Sequence, residues 1–209
     1  YQYRMYLANL WKLYETLEHA LDTASPSHNL LKRIYFPNEL ARLESLEADL
    51  LYFYGPRWRE RISILPATTL YTDRILELLK DPAKHHLLIA HSSTRYLGDM
   101  YGGQHLMNKS RAALKLPENK GTKFYEFNYV RNGSAYNGSV VQFRNYFEKQ
   151  MNKLPVTAQE RDDIVTEANH VFELNMHMFE ELDNCASLLE NDKKLPMIPG
   201  WKDFTPVQW

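Results

Sequence analysis

Apolar residues recur at three- and four-residue steps through most of this chain, and glycine and proline fall mainly between those stretches. Such spacing returns a side chain to one face of an α-helix at every turn, whereas a half-buried strand needs strict alternation. The chain is therefore read as all-α. Tyr3, Leu7, Leu10, Trp11, Tyr14, Leu17 and Leu21 form the first stripe, closed near Ala24 by Ser25-Pro26-Ser27. A second helix is expected from Pro37-Asn38 through Leu40, Leu43, Leu46 and Leu50 to Tyr54, and a third from Pro66 to Lys80 with Tyr71, Ile75 and Leu78 inward. A fourth stretch runs from Pro82 to Leu116, although Gly98, Gly102 and Gly103 put its continuity in question. A turn-rich segment follows from Glu118 to Gly138, with an alternation from Phe124 to Val130 that reads as extended. Ser139 with Gln142, and Thr157 with Glu160, are capping boxes that open helices to about Leu154 and Leu189. Residues 1–189 thus read as one helical domain, and 190–209, with three prolines and no periodicity, as a tail over its surface. The pattern is already helical at Tyr1 with no capping residue before it, so a preceding segment is expected.

Charge and cysteine content narrow the function classes. The 209 residues carry 25 Lys+Arg against 26 Asp+Glu, a formal charge of −1 that leaves no electrostatic footprint for nucleic acid. Cys185 is the single cysteine, which excludes a disulfide framework and any Cys-rich metal site within one chain. The sequence contains no apolar run long enough to span a bilayer. Sequons at Asn108, Asn132 and Asn137 carry little weight, because Asn108 lies in a predicted helix.

The glycine-bearing helix is the anomaly. Each interior glycine costs roughly 0.8–1 kcal/mol relative to alanine, and something must offset that. Two readings compete: close helix packing through Gly98 and Gly102, which share a face, or a flat, bulky ligand pressed against bared backbone. Asp99 and Arg95 lie beside that face, and if buried both need partners. In the last helix Asn175 falls on an apolar stripe of Ile164, Ala168, Val171, Phe172, Met178, Phe179 and Leu182. Tyr14 and Tyr71 also lie on inward stripes and carry hydroxyls to satisfy. Taken singly these are core residues with one hydrogen bond each; taken with Asp99, Arg95 and Thr94 they form one polar cluster. A di-iron bundle needs two Glu-x-x-His pairs plus two further glutamates, and only Glu167 with His170 fits that spacing, so no metal ligands are assigned.

Thr94-Arg95-Tyr96-Leu97-Gly98-Asp99 followed by Gly102-Gly103-Gln104 closely resembles the distal-helix signature of heme oxygenases. Tyr35-Phe36-Pro37-Asn38-Glu39-Leu40, Tyr54-Gly55-Pro56-Arg57-Trp58 and the segment from Asn175 through Phe179-Glu180-Glu181-Leu182 are similar to other family blocks in the same order, covering about Leu7 to Asp183. The resemblance implies an all-α, single-domain multi-helical bundle with a glycine-kinked distal helix. Heme is both substrate and cofactor there, cleaved to biliverdin, carbon monoxide and ferrous iron with O2. It further implies electrons from NADPH through a cytochrome P450 reductase-type donor, with biliverdin reductase as a further partner. The implied setting is cytosol-facing, at the endoplasmic reticulum through a C-terminal anchor. Asp99, Arg95, Tyr14, Tyr71 and Asn175 match the family's catalytic hydrogen-bond network, with Asp99 acting through ordered water. Thr94, Gly98, Gly102, Gly103, Arg144, Phe172 and Phe179 match heme-binding positions. Three departures stand out. The family's axial histidine precedes the region that Tyr1 begins, and none of the eight histidines matches it. Glu148 stands where an arginine usually faces a propionate. Ser93 replaces a tyrosine, and Tyr101 replaces a small residue. These departures support an alternative, a non-enzymatic heme-binding or interaction protein on the same fold.

Overall fold

Helix α1 (Gln2–Ala24) is the element against which α4, α6, α7 and α9 pack. Its Leu7, Leu10, Leu13, Tyr14 and Leu17 have no exposed surface at all. The computed structural model describes residues 2–127 and 139–191, with side chains as far as Cys185. Eight further α-helices follow among the described residues: α2 (Asn29–Ile34), α3 (Pro37–Leu40), α4 (Leu43–Tyr54), α5 (Trp58–Arg61), α6 (Pro66–Lys80), α7 (Leu88–Leu114), α8 (Val140–Asn152) and α9 (Ala158–Asn191). Leu46 and Leu50 of α4, Ile75 and Leu78 of α6, Met100 of α7, Phe143 and Phe147 of α8, and Val171 and Met178 of α9 complete the core with α1.

The caps anticipated from the sequence form. Ser139 Oγ accepts from the Gln142 N–H at 3.5 Å, and Thr157 and Glu160 bond reciprocally at 2.7 and 3.2 Å. Helix α6 begins at Pro66, and its amino end is held by two other helices. Asn9 Oδ1 accepts from the Leu65 N–H and the Thr68 hydroxyl, both at 2.8 Å, while Glu181 accepts from the Ala67 N–H at 2.7 Å. These groups satisfy amides that no helix can satisfy for itself, and they tie α1, α6 and α9 together.

Several expectations are corrected. The span from Pro37 to Tyr54 is two helices, broken at Ala41-Arg42. There the Arg42 N–H donates to Glu18, and its buried guanidinium bonds the carbonyls of Leu40, Phe124 and Glu126. The short helices α2 and α5 lie in stretches without a readable stripe. Lys123–Tyr125 is a 3₁₀ turn and not extended chain, because Asp49 takes the N–H groups of Lys123 and Phe124 at 2.9 and 2.8 Å. Residues 128–130 of that alternation, Asn132, Asn137 and residues 192–209 of the expected tail lie outside the described residues. A 3₁₀ segment (Pro82–Leu87) precedes α7, and α7 itself runs unbroken across all three of its glycines. Among the described residues no helix is long and apolar enough to cross a membrane.

One ion-pair network joins three helices inside this bundle. Glu167 of α9 accepts from Arg74 of α6 at 2.6 and 3.0 Å and from the fully buried His91 of α7 at 2.9 Å. Burial lowers the His91 pKa, so a neutral ring donates through Nε2. Burial by itself would raise the Glu167 carboxyl, but the bonds from His91 and Arg74 outweigh it and hold it at about 2. Glu167→Ala leaves the buried His91 donor without its acceptor and Arg74 with Glu77 alone, and is expected to cost about 1–3 kcal/mol, read as a lower urea midpoint at unchanged slope. Because folding depresses this carboxyl from its ordinary 4.5, its contribution is complete above that pH and is lost as pH falls toward 2. Glu167→Gln is expected to flatten that acid limb of the stability curve.

Candidate active site

Four helices bring together five of the polar residues singled out in the sequence. Arg95 and Asp99 lie one turn apart on α7, only 8% and 7% exposed. Tyr14 of α1 donates its hydroxyl to Asp99 Oδ2. Arg95 approaches Asp99 Oδ1 at 3.5 Å and donates to Asn175 Oδ1 of α9 at 2.6 Å. Asn175 in turn donates to the Val171 carbonyl at 2.8 Å, which fixes its amide orientation. Tyr71 of α6 lies fully buried beside Asn175 and Arg95. Its Oη, like Arg95 Nε, has no partner in hydrogen-bond geometry among the described residues. Buried polar atoms are paired as a rule, so these two mark positions for ordered water or a ligand.

Burial sets the protonation behaviour of this cluster. It raises the Asp99 carboxyl from its ordinary value, against the opposing pull of Arg95 and of the Tyr14 hydroxyl. Burial also raises Tyr14, helped by the adjacent Asp99. The result is a carboxyl that takes up protons more readily than usual, beside a phenol that stays a donor.

The outer side of α7 here is bare. Among the described residues, no atom beyond the adjacent residues and the helix's own backbone lies within 4 Å of where a Cβ would stand on Gly98 or on Gly102, and both residues are exposed. That observation counts against close packing of a described helix on these glycines, since such packing would fill the space. Thr94 lies one turn before Gly98 on the same side and is half-buried. Gly103 has a different cause. A Cβ there would stand 3.1 Å from Tyr125 Cδ1, so its lack of a side chain serves packing. The expectation that it lines a ligand is corrected accordingly.

Helix α9 also departs from the expected facing. Val171, Leu174, Met178 and Leu182 are its buried stripe, with Ile164 and Ala168 half-buried. Phe172 and Phe179, expected on that stripe, are instead 58% and 48% exposed, with Met176 at 59% between them. They form a second apolar face about a third of a turn away. Tyr6 of α1, not anticipated, stacks on Phe179 with ring centroids 5.7 Å apart, and burial beside Arg95 and Asp99 pushes its hydroxyl up to about 12. Its signal in the sequence is the four-residue step Tyr6, Leu10, Tyr14 along α1.

Helix α8 supplies the remaining edge. Arg144 lies over the Tyr101 ring at 4.0 Å, and the Tyr101 hydroxyl donates to Glu148 at 2.5 Å. Glu167, which with His170 gave the lone Glu-x-x-His spacing, is committed to Arg74 and His91.

Comparison with known proteins places this geometry. The family model described as heme oxygenase matches residues 1–181. Heme oxygenase 2 of Synechocystis is 40% identical over 182 residues, 87% of this chain and 70% of that protein. Heme oxygenase 2 of Rattus norvegicus is 38% identical, covering 88% of this chain but only 55% of its own length. The crystal structure of the Synechocystis enzyme, solved in complex with heme and NO, superposes with a TM-score of 0.79 at 39% identity, covering 88% of this chain and 72% of that one. The structure of heme oxygenase from Leptospira interrogans gives 0.76 at 35% identity, covering 86% and 82%. With a matching model over most of its length and such relatives, the chain belongs to the heme oxygenase family.

Proposed function

We propose that this chain cleaves heme oxidatively to biliverdin, carbon monoxide and ferrous iron, using O2 and electrons delivered from NADPH by a reductase. The observation that carries the reading is the bared face of α7 at Gly98 and Gly102, set directly beside the buried Tyr14, Asp99, Arg95 and Asn175 cluster. A flat macrocycle approaches a helix backbone closely only where side chains are missing. The neighbouring exposed Phe172, Met176 and Phe179 offer apolar surface to such a ring, and Arg144 offers a cation to its acid groups. The residues fit the group, and Thr94, Gly98, Gly102, Arg144, Phe172 and Phe179 would hold it.

When bound, heme supplies both the ring to be cut and the metal at which O2 is reduced. The chain's own part is control of protons and water. Asp99 accepts and returns a proton through solvent held over the glycine face, and the upward pull of burial on its carboxyl makes it readier to take one up. Tyr14 orients the Asp99 carboxylate, Arg95 balances its charge, and Asn175 fixes Arg95. Tyr71 Oη and Arg95 Nε supply the unfilled bonds from which a water network is built. A purely heme-binding role is not favoured, since leaving a buried donor or acceptor without its partner costs about 1–3 kcal/mol and binding alone requires no such cluster. The finer setting is proposed from likeness to the family. It comprises a cytochrome P450 reductase-type donor, biliverdin reductase acting on the product, and a cytosol-facing site at the endoplasmic reticulum.

Asp99→Ala is expected to bind heme with an intact Soret band and to form no biliverdin when supplied with NADPH and reductase; turnover at the wild-type rate would remove Asp99 from the mechanism. Gly98→Ala separates stability from function. With free space at the Cβ position, it is expected to gain about 1 kcal/mol of helix stability and about 2–4 °C in Tm, while weakening heme binding. A lower Tm would mean that this face is covered.

A further inference from the structure

The α8 edge of the glycine face carries a charge pattern that a heme-binding surface does not need. Tyr101 lies on the bare side of α7, three residues after Gly98 and next to Gly102, and is 56% exposed. It is the one bulky side chain standing among those glycines, and it bends toward α8. Its hydroxyl donates to Glu148 at 2.5 Å, while Arg144, one turn earlier on α8, covers its ring at 4.0 Å. Acceptance by Glu148 raises the Tyr101 hydroxyl above its ordinary pKa, so it remains a donor. Arg144 and Glu148 stand at the i, i+4 spacing that favours an ion pair, yet among the described residues none joins them. Tyr101 is inserted between them, and Arg144 Nε is left without a partner. Among the described residues, the rim therefore sets a cation, Arg144, against the Tyr101 ring and, one turn away, an anion, Glu148, held in place by the Tyr101 hydroxyl.

Resting on the heme-binding reading above, we propose that Glu148, positioned by Tyr101, is a specificity-determining residue that turns away a ligand carboxylate at its own position and confines the acid groups of a bound tetrapyrrole to Arg144. A tetrapyrrole with two neighbouring acid groups then meets attraction at one and repulsion at the other. The ring seats in the register that brings one carboxylate to Arg144 and an edge without charge to Glu148. Glu148 thereby lowers affinity for diacids without touching the apolar contacts, and it fixes which edge of the ring faces α8.

The test is equilibrium binding of the full chain to zinc mesoporphyrin and to its dimethyl ester, followed by absorbance and fluorescence, so that turnover plays no part. Glu148→Gln keeps an acceptor for Tyr101 and removes only the charge. It is expected to tighten the diacid about three- to tenfold, with a gain that shrinks as salt is added, and to leave the ester unchanged. Tyr101→Phe removes the hydroxyl that holds Glu148 and is expected to shift diacid affinity in the same direction by less. Equal changes for both ligands, or none for either, would overturn the proposal while leaving heme binding intact. If the wild-type chain binds neither porphyrin, the heme-binding reading itself fails and this inference falls with it.

Discussion

The rotation of α7 about its own axis decides everything else at this site, and three buried polar residues set it. His91, Arg95 and Asp99 stand at successive four-residue steps, so their side chains align along one face. Each is bonded to a neighbouring helix: His91 to Glu167 and Arg95 to Asn175, both on α9, and Asp99 to Tyr14 on α1. Buried polar groups are costly to leave unpaired, so turning α7 by even one residue would break three charge-assisted contacts together. Gly98 and Gly102 border that face, three residues on from Arg95 and from Asp99 respectively, and are exposed. The same spine that anchors the helix therefore sets its bare backbone beside the polar cluster.

This arrangement offsets the helix cost of glycine locally. Gly98 and Gly102 contribute no packing of their own, and the opposite side of α7 contributes a good deal: Leu88, Ile89, Tyr96 and Met100 are at most 3% exposed. Burial of side chains of that size stabilises by about 1.5–3 kcal/mol each, which exceeds the propensity loss of two glycines. The helix therefore stays continuous where propensity gives most reason for a break. Position 103 follows another logic, since Tyr125 occupies the space a side chain would need. Three glycines within six residues thus serve two purposes.

How much of this was legible in the sequence depends on how local each cause is. Breakers and capping boxes act within a few residues, and the carboxyl end of α1, both ends of α6 and the starts of α8 and α9 follow from them. The break before α4 did not, because its cause is Arg42 reaching carbonyls 82 and 84 residues away. The residues of the polar cluster were recognisable as inward-facing oddities and from the family likeness, but periodicity alone left single core residues and one cluster equally open. Only the bonds among Tyr14, Asp99, Arg95 and Asn175 separate those readings. Nothing local marks His91 either, since its partner Glu167 lies 76 residues on. Phe172 and Phe179 read as part of the buried stripe in the sequence because a helix as long as α9 carries apolar residues on two stripes that periodicity alone does not separate.

That second stripe is itself an argument about function. Val171, Leu174, Met178 and Leu182 already bury one side of α9 against the bundle, so the core makes no demand for Phe172, Met176 and Phe179. Single exposed apolar residues are ordinary on protein surfaces, but three large ones at four- and three-residue steps are a continuous patch. A helix that is apolar on more than one face has something to bury on each. Stacking of Tyr6 on Phe179 joins the patch to α1, and the Arg95–Asn175 bond ties the same stretch of α9 to the bared segment of α7. Bare backbone on one helix and surplus apolar surface on its neighbour answer the same requirement, a broad flat ligand that neither helix satisfies alone.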